Sequence, residues 1–242
     1  MATKKKLLQA AAGSAGGAGL DITEVFSTFV YDGSSSAQTI TNGIDLDGEG
    51  GLVWTKHRNG ASQHALFDTE RGVLKGLASS SIAAEATETG SVTAFNSNGY
   101  TLGTWSGVNY NTYTYASWTF RKAPKFFTCL TYTGNNGSLT ISHGLNSTPA
   151  IIIIKNTTTS SQNGDWHTYH KDIYGGSNGF LRLNAADSVQ SRSICDQYIG
   201  SITSVTDTSF TVNAGTNVND LTHSGSTFVA YIFAHNNSDG EF

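Results

Sequence analysis

Four segments of this 242-residue chain carry residue types able to do chemistry. The first is Asp45-Leu-Asp-Gly-Glu-Gly-Gly51, which puts Asp45, Asp47 and Glu49 at alternate positions. Clustered carboxylate oxygens ligate a hard cation, so these three form a calcium candidate, although the distal bidentate Glu of a complete calcium loop is missing. The second is Trp166-His-Thr-Tyr-His170. Its composition favours a strand, where residues three apart point to opposite faces, so His167 and His170 are not expected to share a metal. The third is Ala12-Gly-Ser14-Ala-Gly16, which has the outline of a nucleophile elbow but lacks the strand before it and the helix after it. The fourth runs from Gly103 to Tyr113 and is rich in Gly, Asn and aromatic residues. Trp105, Tyr110 and Tyr113 are its candidate contact residues. Exposed rings stack on sugars, and the same residue types are enriched where protein partners meet.

None of these segments assembles a nucleophile with its base or pairs two carboxylates as acid and base, so no enzyme is expected. No resident cofactor is expected either. Cys129 and Cys195 match no metal-ligand spacing, and two buried thiols of a protein made in a reducing cytosol is the simplest reading.

These segments need elements to hold them, and composition says which kind. Charged residues are only 13% of the chain, Gly numbers 27 and Pro 2. Ser, Thr and Asn fill much of the remainder. Such a chain makes poor helices and many short strands joined by tight turns. Net charge is −4. Lys4, Lys5 and Lys6 lie in a first stretch without acids; the remaining 11 basic groups face all 18 acidic ones, about −7, which gives nucleic acid no electrostatic footprint. No apolar run reaches the length of a membrane span. The Leu7–Ala12 core behind the lysines is too short for a secretory signal. Residues 1–21 therefore read as an Ala/Gly-rich assembly arm with Lys4, Lys5 and Lys6 as its contact residues.

The strongest pattern is self-similarity. Tyr31-Asp-Gly33 and Thr39-Ile-Thr-Asn-Gly-Ile44 return as Tyr132-Thr-Gly134 and Thr140-Ile-Ser-His-Gly-Leu145, at a constant offset of 101 residues. Leu52-Val-Trp-Thr-Lys56 returns as Ile151-Ile-Ile-Ile-Lys155, and Ala65-Leu-Phe-Asp68 as His167-Thr-Tyr-His170. Tyr100-Thr-Leu102 matches Phe210-Thr-Val212, and Tyr115-Ala-Ser-Trp-Thr-Phe120 matches Phe228-Val-Ala-Tyr-Ile-Phe233, now at an offset of 113. About twelve extra residues therefore sit inside the second copy.

Alternation predicts first-half strands near 25–32, 37–41, 51–56, 64–68, 92–95, 99–102 and 113–121, with Asn98-Gly99, Asn136-Gly137 and Asn163-Gly164 as turns. In the last strand Ala116, Trp118 and Phe120 share one face, as do Val229, Tyr231 and Phe233 in the second copy. That aromatic face is expected to be the core face. The fold class expected is all-β: two tandem antiparallel β-sandwich units of jelly-roll or lectin-like type, 22–122 and 126–236, related by internal duplication and preceded by the arm.

The segment from Tyr31 through Thr-Ile-Thr-Asn-Gly-Ile-Asp-Leu-Asp-Gly-Glu-Gly-Gly-Leu-Val-Trp54, then Leu66-Phe-Asp-Thr-Glu-Arg-Gly72, resembles repeat-bearing virion proteins of marine tailed phages. So do Phe95-Asn-Ser-Asn-Gly-Tyr-Thr-Leu-Gly103, Trp118-Thr-Phe-Arg121 and, in the second half, Pro149 with its isoleucine run. The resemblance spans about residues 22–236. It implies concanavalin-like lectin sandwiches, a role in particle structure or attachment, and no catalytic residues. The expected protein is a non-enzymatic virion component of the tail or tail fibre, assembled in the host cytoplasm. Capsid decoration and recognition of host surface glycan are the alternatives. Its partners would be other virion proteins and copies of itself, with glycan in the last case.

Overall fold

The computed structural model describes residues 20–158, 164–173, 179–191, 200–215 and 221–235. Two one-turn helices occur among them, α1 (Ile22–Val25) and α2 (Ser106–Asn109). The rest is strand and turn, and every paired strand is antiparallel.

The first half supplies β1 (Phe26–Asp32), β2 (Gln38–Thr41), β3 (Gly51–His57), β4 (Ala65–Asp68), β5 (Lys75–Ala78), β6 (Ala86–Thr87), β7 (Val92–Asn96), β8 (Gly99–Leu102) and β9 (Thr114–Arg121). They form a six-stranded sheet, β1-β9-β3-β4-β5-β6, and a three-stranded sheet, β2-β8-β7. The second half supplies β10 (Phe127–Thr133), β11 (Leu139–Ser142), β12 (Pro149–Asn156), β13 (Trp166–His170), β14 (Gly179–Arg182), β15 (Gln190–Ser191), β16 (Ser201–Val205), β17 (Ser209–Asn213) and β18 (Thr227–Ala234). Their sheets run β10-β18-β12-β13-β14-β15 and β11-β17-β16. Each sheet draws its strands from one half only.

The seven first-half strands that alternation predicts are present. It does not predict β5 and β6, whose Lys-Gly-Leu-Ala and Ala-Thr are too short and too poor in large apolar residues to alternate visibly. At Asn98-Gly99 the turn is set one residue earlier than the dipeptide suggests: Asn96 pairs with Gly99, so Ser97 and Asn98 make the loop.

The recurring residues perform recurring backbone tasks. Tyr31 and Tyr132 each lie over the last strand of their half, stacked on Tyr115 at 5.1 Å and on Phe228 at 4.9 Å. Each hydroxyl donates to a loop carbonyl at 2.9 Å, Val108 for Tyr31 and Leu221 for Tyr132. The glycine two residues on passes directly under that same loop. A Cβ on Gly33 would fall 2.1 Å from the Tyr110 carbonyl oxygen, and one on Gly134 would fall 2.1 Å from that of His223. Asn42 and His143 cap equivalent turns: the Ile44 amide donates to Asn42 Oδ1 at 3.2 Å, and the Leu145 amide to His143 Nδ1 at 3.1 Å. Gly43 and Gly144 between them take φ of +89° and +63°, a region that glycine enters without steric cost. Ile44 and Leu145 are thereby driven fully into the interior.

In each half the small sheet shares an apolar core with the large one. Ile40, Val92, Tyr100 and Leu102 meet Val53, Phe67 and Tyr115 in the first half, and Phe210 and Val212 meet Ile152, Ile154, Tyr169, Ala230 and Ile232 in the second. The other faces of the two large sheets pack on each other. Leu52, Leu66 and Leu77 there touch Phe127, Cys129, Ile153, Trp166, Val229 and Tyr231. The central strands of both large sheets are thus covered on both sides, while the outer face of edge strand β1 stays open at Val30. This corrects the expected core face. Tyr115, Ser117 and Thr119 face inward in β9, and Phe228, Ala230 and Ile232 do so in β18. Val229 and Tyr231, with Phe120 and Phe233 beside them, belong to the contact between halves. The physical reason is that a sheet buried on both faces places large residues on each, so aromatic weight does not identify the face turned to its own core.

A buried polar cluster crosses that contact. Asp68, fully buried, accepts from Arg71 Nε at 2.6 Å and from the Tyr231 hydroxyl at 2.7 Å. Arg71 also donates to the carbonyls of Lys75 and Leu66, to Glu85 Oε2 and to the Tyr231 oxygen, so all five guanidinium hydrogens have acceptors. Burial alone would lower the Arg71 pKa, and Tyr231, Asp68 and Glu85 outweigh it, so the pKa is raised. Trp166 reaches back from β13 to donate its indole N–H to the carbonyls of Ala78 and Ser81. Buried Lys155 donates to the carbonyls of Asn156 at 2.7 Å and Ile82 at 3.4 Å. Desolvation brings its pKa down to about 8.

Candidate functional site

The predicted aromatic loop is ordered by α2, and it divides its aromatic residues between two places. Trp105 precedes the helix and turns inward, edge-on to Phe67 at 6.3 Å. Tyr110 and Tyr113 turn outward, 42% and 38% exposed, with ring centroids 5.0 Å apart. Tyr113 stacks on His57 at 3.9 Å. Asn109 at the helix end is buried and holds the loop down: its amide group donates to the Ser36 and Gly103 carbonyls at 2.6 Å each, and its oxygen accepts from Gln38 and the Ser34 amide.

Trp105 lines a cleft of about 270 Å³ on the outer part of the first half. Three segments meet there. The loop entering β4 brings Gln63 and His64, β5 and the chain up to β6 bring Gly76, Leu77 and a run of alanines, and Glu88 follows β6. The floor is mostly methyl groups. Glu88 is half-buried, with its Cγ close over Gly76, and it makes no ion pair among the described residues. His64 has a defined proton position. Trp54 donates its indole N–H to His64 Nδ1 at 2.8 Å, so the neutral ring carries its proton on Nε2. Burial, with nearby Lys56 adding to it, lowers the His64 pKa and favours that neutral form. The cleft thus offers an indole, an imidazole donor, a carboxylate acceptor and an apolar floor.

The acidic loop does not converge on a cation. Asp45 turns back to accept from the Gly48 amide at 2.8 Å, and Glu49 pairs with Arg121 at 3.6 Å. Among the described residues no group of three His, Cys, Asp or Glu side chains is placed to hold a metal ion. Asp45 Oδ1 is engaged by its own turn and Glu49 by Arg121, so Asp45, Asp47 and Glu49 are not gathered as one cluster in this structure. His167 is fully enclosed beside Phe180, with a pKa brought down to about 4 chiefly by desolvation, whereas His170 is only half-buried. Cys129 is a free buried thiol whose pKa burial raises. Cys195 and the arm with Lys4, Lys5 and Lys6 lie outside the described residues.

Sequence reasoning singles out Trp105 but not His64, Gln63 or Glu88. No local signal marks them, because β5 and β6 bring them together and those strands are themselves unmarked. No helix of the described residues is long and apolar enough to cross a membrane.

A model of a domain of unknown function, DUF7483, matches residues 21–240, and the chain belongs to that family. No curated protein and no solved structure matches it.

Proposed function

We propose that this DUF7483 chain is a non-enzymatic structural component of a tailed-phage virion, associated with the tail or tail fibre and built of two β-sandwich units that arose by duplication. The duplication is supported by the equal strand order of the two halves and by the shared tasks of Tyr31 and Tyr132, Gly33 and Gly134, and Asn42 and His143. The sandwich reading rests on the apolar core common to the large and small sheet of each half. The virion reading rests on the motif resemblance. The observation that carries the structural role is the polar lock of Asp68, Arg71, Glu85 and Tyr231 within the contact between halves. It ties the two units together through buried hydrogen bonds, which suits a display or spacer element. The arm of residues 1–21 is the proposed attachment to neighbouring virion proteins, and copies of the chain are proposed as further neighbours.

Mass spectrometry of gradient-purified particles from a phage encoding this chain, with immunogold labelling by an antiserum to residues 22–236, tests the proposal. The expected result is the chain in the particle and gold on the tail. Gold over the head would move the protein to capsid decoration. Absence from purified particles overturns the proposal.

A further inference from the structure

We infer that the cleft beside Trp105 is a carbohydrate subsite that receives one pyranose ring, with Glu88 and His64 as its hydroxyl-reading groups. The inference stands on the cleft alone and is independent of the virion proposal.

A pyranose is an uncharged ring with C–H groups on its faces and hydroxyls around its rim. A site for it needs an apolar or aromatic wall, at least one donor and one acceptor in defined directions, and little net charge. The cleft has each of these. Trp105 and the alanine methyls of 78, 83, 84 and 86 form the apolar wall. His64 presents Nε2–H as a donor, because Trp54 occupies Nδ1 at 2.8 Å. A ring fixed in one tautomer loses little freedom when it engages a hydroxyl. Glu88 presents a carboxylate that no described cation neutralises, so it is available to accept from a hydroxyl pair. The exposed Gln63 extends the polar rim. At about 270 Å³ the cleft lies at the small end of ligand sites, which suits a single ring better than an extended chain.

Other ligand classes fit less well. A phosphate or carboxylate would meet Glu88 and a body of net negative charge. A wholly apolar ligand would bury Glu88 and His64 Nε2 without partners. Tyr110 and Tyr113 do not line the cleft, so a glycan bound through them would occupy a different place.

The test uses the full-length, ¹⁵N-labelled chain titrated with the methyl glycosides of glucose, mannose, galactose, N-acetylglucosamine and N-acetylgalactosamine. The expected result is that at least one glycoside shifts the Trp105 indole and Gln63 side-chain resonances, saturating at about millimolar concentration as a ligand of this size should. Glu88→Gln should weaken that glycoside about ten-fold, the loss of one charged hydrogen bond. Gly107→Ala should abolish binding, because its Cβ would fall 2.3 Å from the Trp105 ring and push the indole aside. Tyr110→Ala and Tyr113→Ala should bind like the unaltered chain. The amide spectrum of each variant reports whether it is folded, so lost binding and lost structure are distinguishable. The inference is overturned if no glycoside moves the Trp105 resonance, if Glu88→Gln binds as tightly as the unaltered chain, or if Tyr113→Ala rather than Glu88→Gln loses binding.

Discussion

Several residues that look reactive in the sequence are, in the folded chain, committed to backbone or packing. Asp45 caps its own turn, and Asp68 is buried under Arg71 and Tyr231. His143 spends Nδ1 on the Leu145 amide. His167 is the clearest case, because it is enclosed without a hydrogen-bond partner for Nε2. Its folded pKa of about 4 lies below the unfolded 6.5, so between those values the unfolded chain binds the extra proton. Stability attributable to this histidine is therefore present above about pH 6.5 and is lost as pH falls toward 4. On that basis the unaltered chain should lose about 2 kcal/mol more than His167→Leu between about pH 7 and pH 5. Urea unfolding of both proteins at the two pH values measures the difference. Equal losses would mean that His167 is solvated in the native state.

At the scale of elements, the Tyr-x-Gly junction fixes how the edge strand of each half leaves its sheet. The tyrosine clamps the loop that precedes the last strand, and the glycine lets the backbone pass beneath it. The Gly33 amide donates to the Tyr113 carbonyl at 2.8 Å, and the Gly134 amide to the Ser226 carbonyl at 3.0 Å. Gly33→Ala and Gly134→Ala should each destabilise by about 1–3 kcal/mol, since the obstruction is backbone that cannot rotate away. Gly72→Ala is the comparison: no atom lies within 4 Å of its Cβ position, and its cost should arise only from its φ of +90°. Thermal unfolding of the three variants checks this. A Gly33→Ala protein as stable as the unaltered chain would show that the loop yields instead. Thr39 opposite Thr101 and Thr140 opposite Thr211 add matching cross-strand hydroxyl pairs at 3.3 and 3.0 Å in the two small sheets.

At the scale of the whole molecule, the two large sheets pack on each other through a shared apolar cluster. This apolar part of the contact is non-directional, whereas the Asp68 cluster requires one registration of the sheets. Removing one partner leaves Arg71 buried without its nearest carboxylate. Asp68→Ala should therefore cost about 3–5 kcal/mol. Because Tyr231 belongs to β18 and Arg71 follows β4, the loss should reach both halves. Native-state hydrogen exchange resolves the two sides: protection should fall together in β3 and β4 and in β12 and β18. Protection lost in the first half alone would mean that the halves unfold separately.

The seven longer first-half strands and the correspondence of recurring motifs are legible in the sequence because they depend on neighbours a few residues apart, whereas β5, β6 and the exact register of the Asn98-Gly99 turn are not. Alternation marks β3 and β9, and the recurrence of Tyr31 with Gly33 as Tyr132 with Gly134 marks two corresponding junctions. Which face of each large sheet meets which neighbour was decided only by the tertiary structure. When both faces are buried, Phe120 and Tyr231 are as suitable for a contact between halves as for a core, and no period separates the two. The Trp105 cleft belongs to the same class. Its residues come from 63–64, 76–78, 83–88 and 105–107 and are joined by β5 and β6, which are too short to show a pattern. Aromatic residues in a loop named Trp105, Tyr110 and Tyr113 alike; packing against Phe67 drew the tryptophan alone into the cleft with His64 and Glu88 and left the tyrosines outside it.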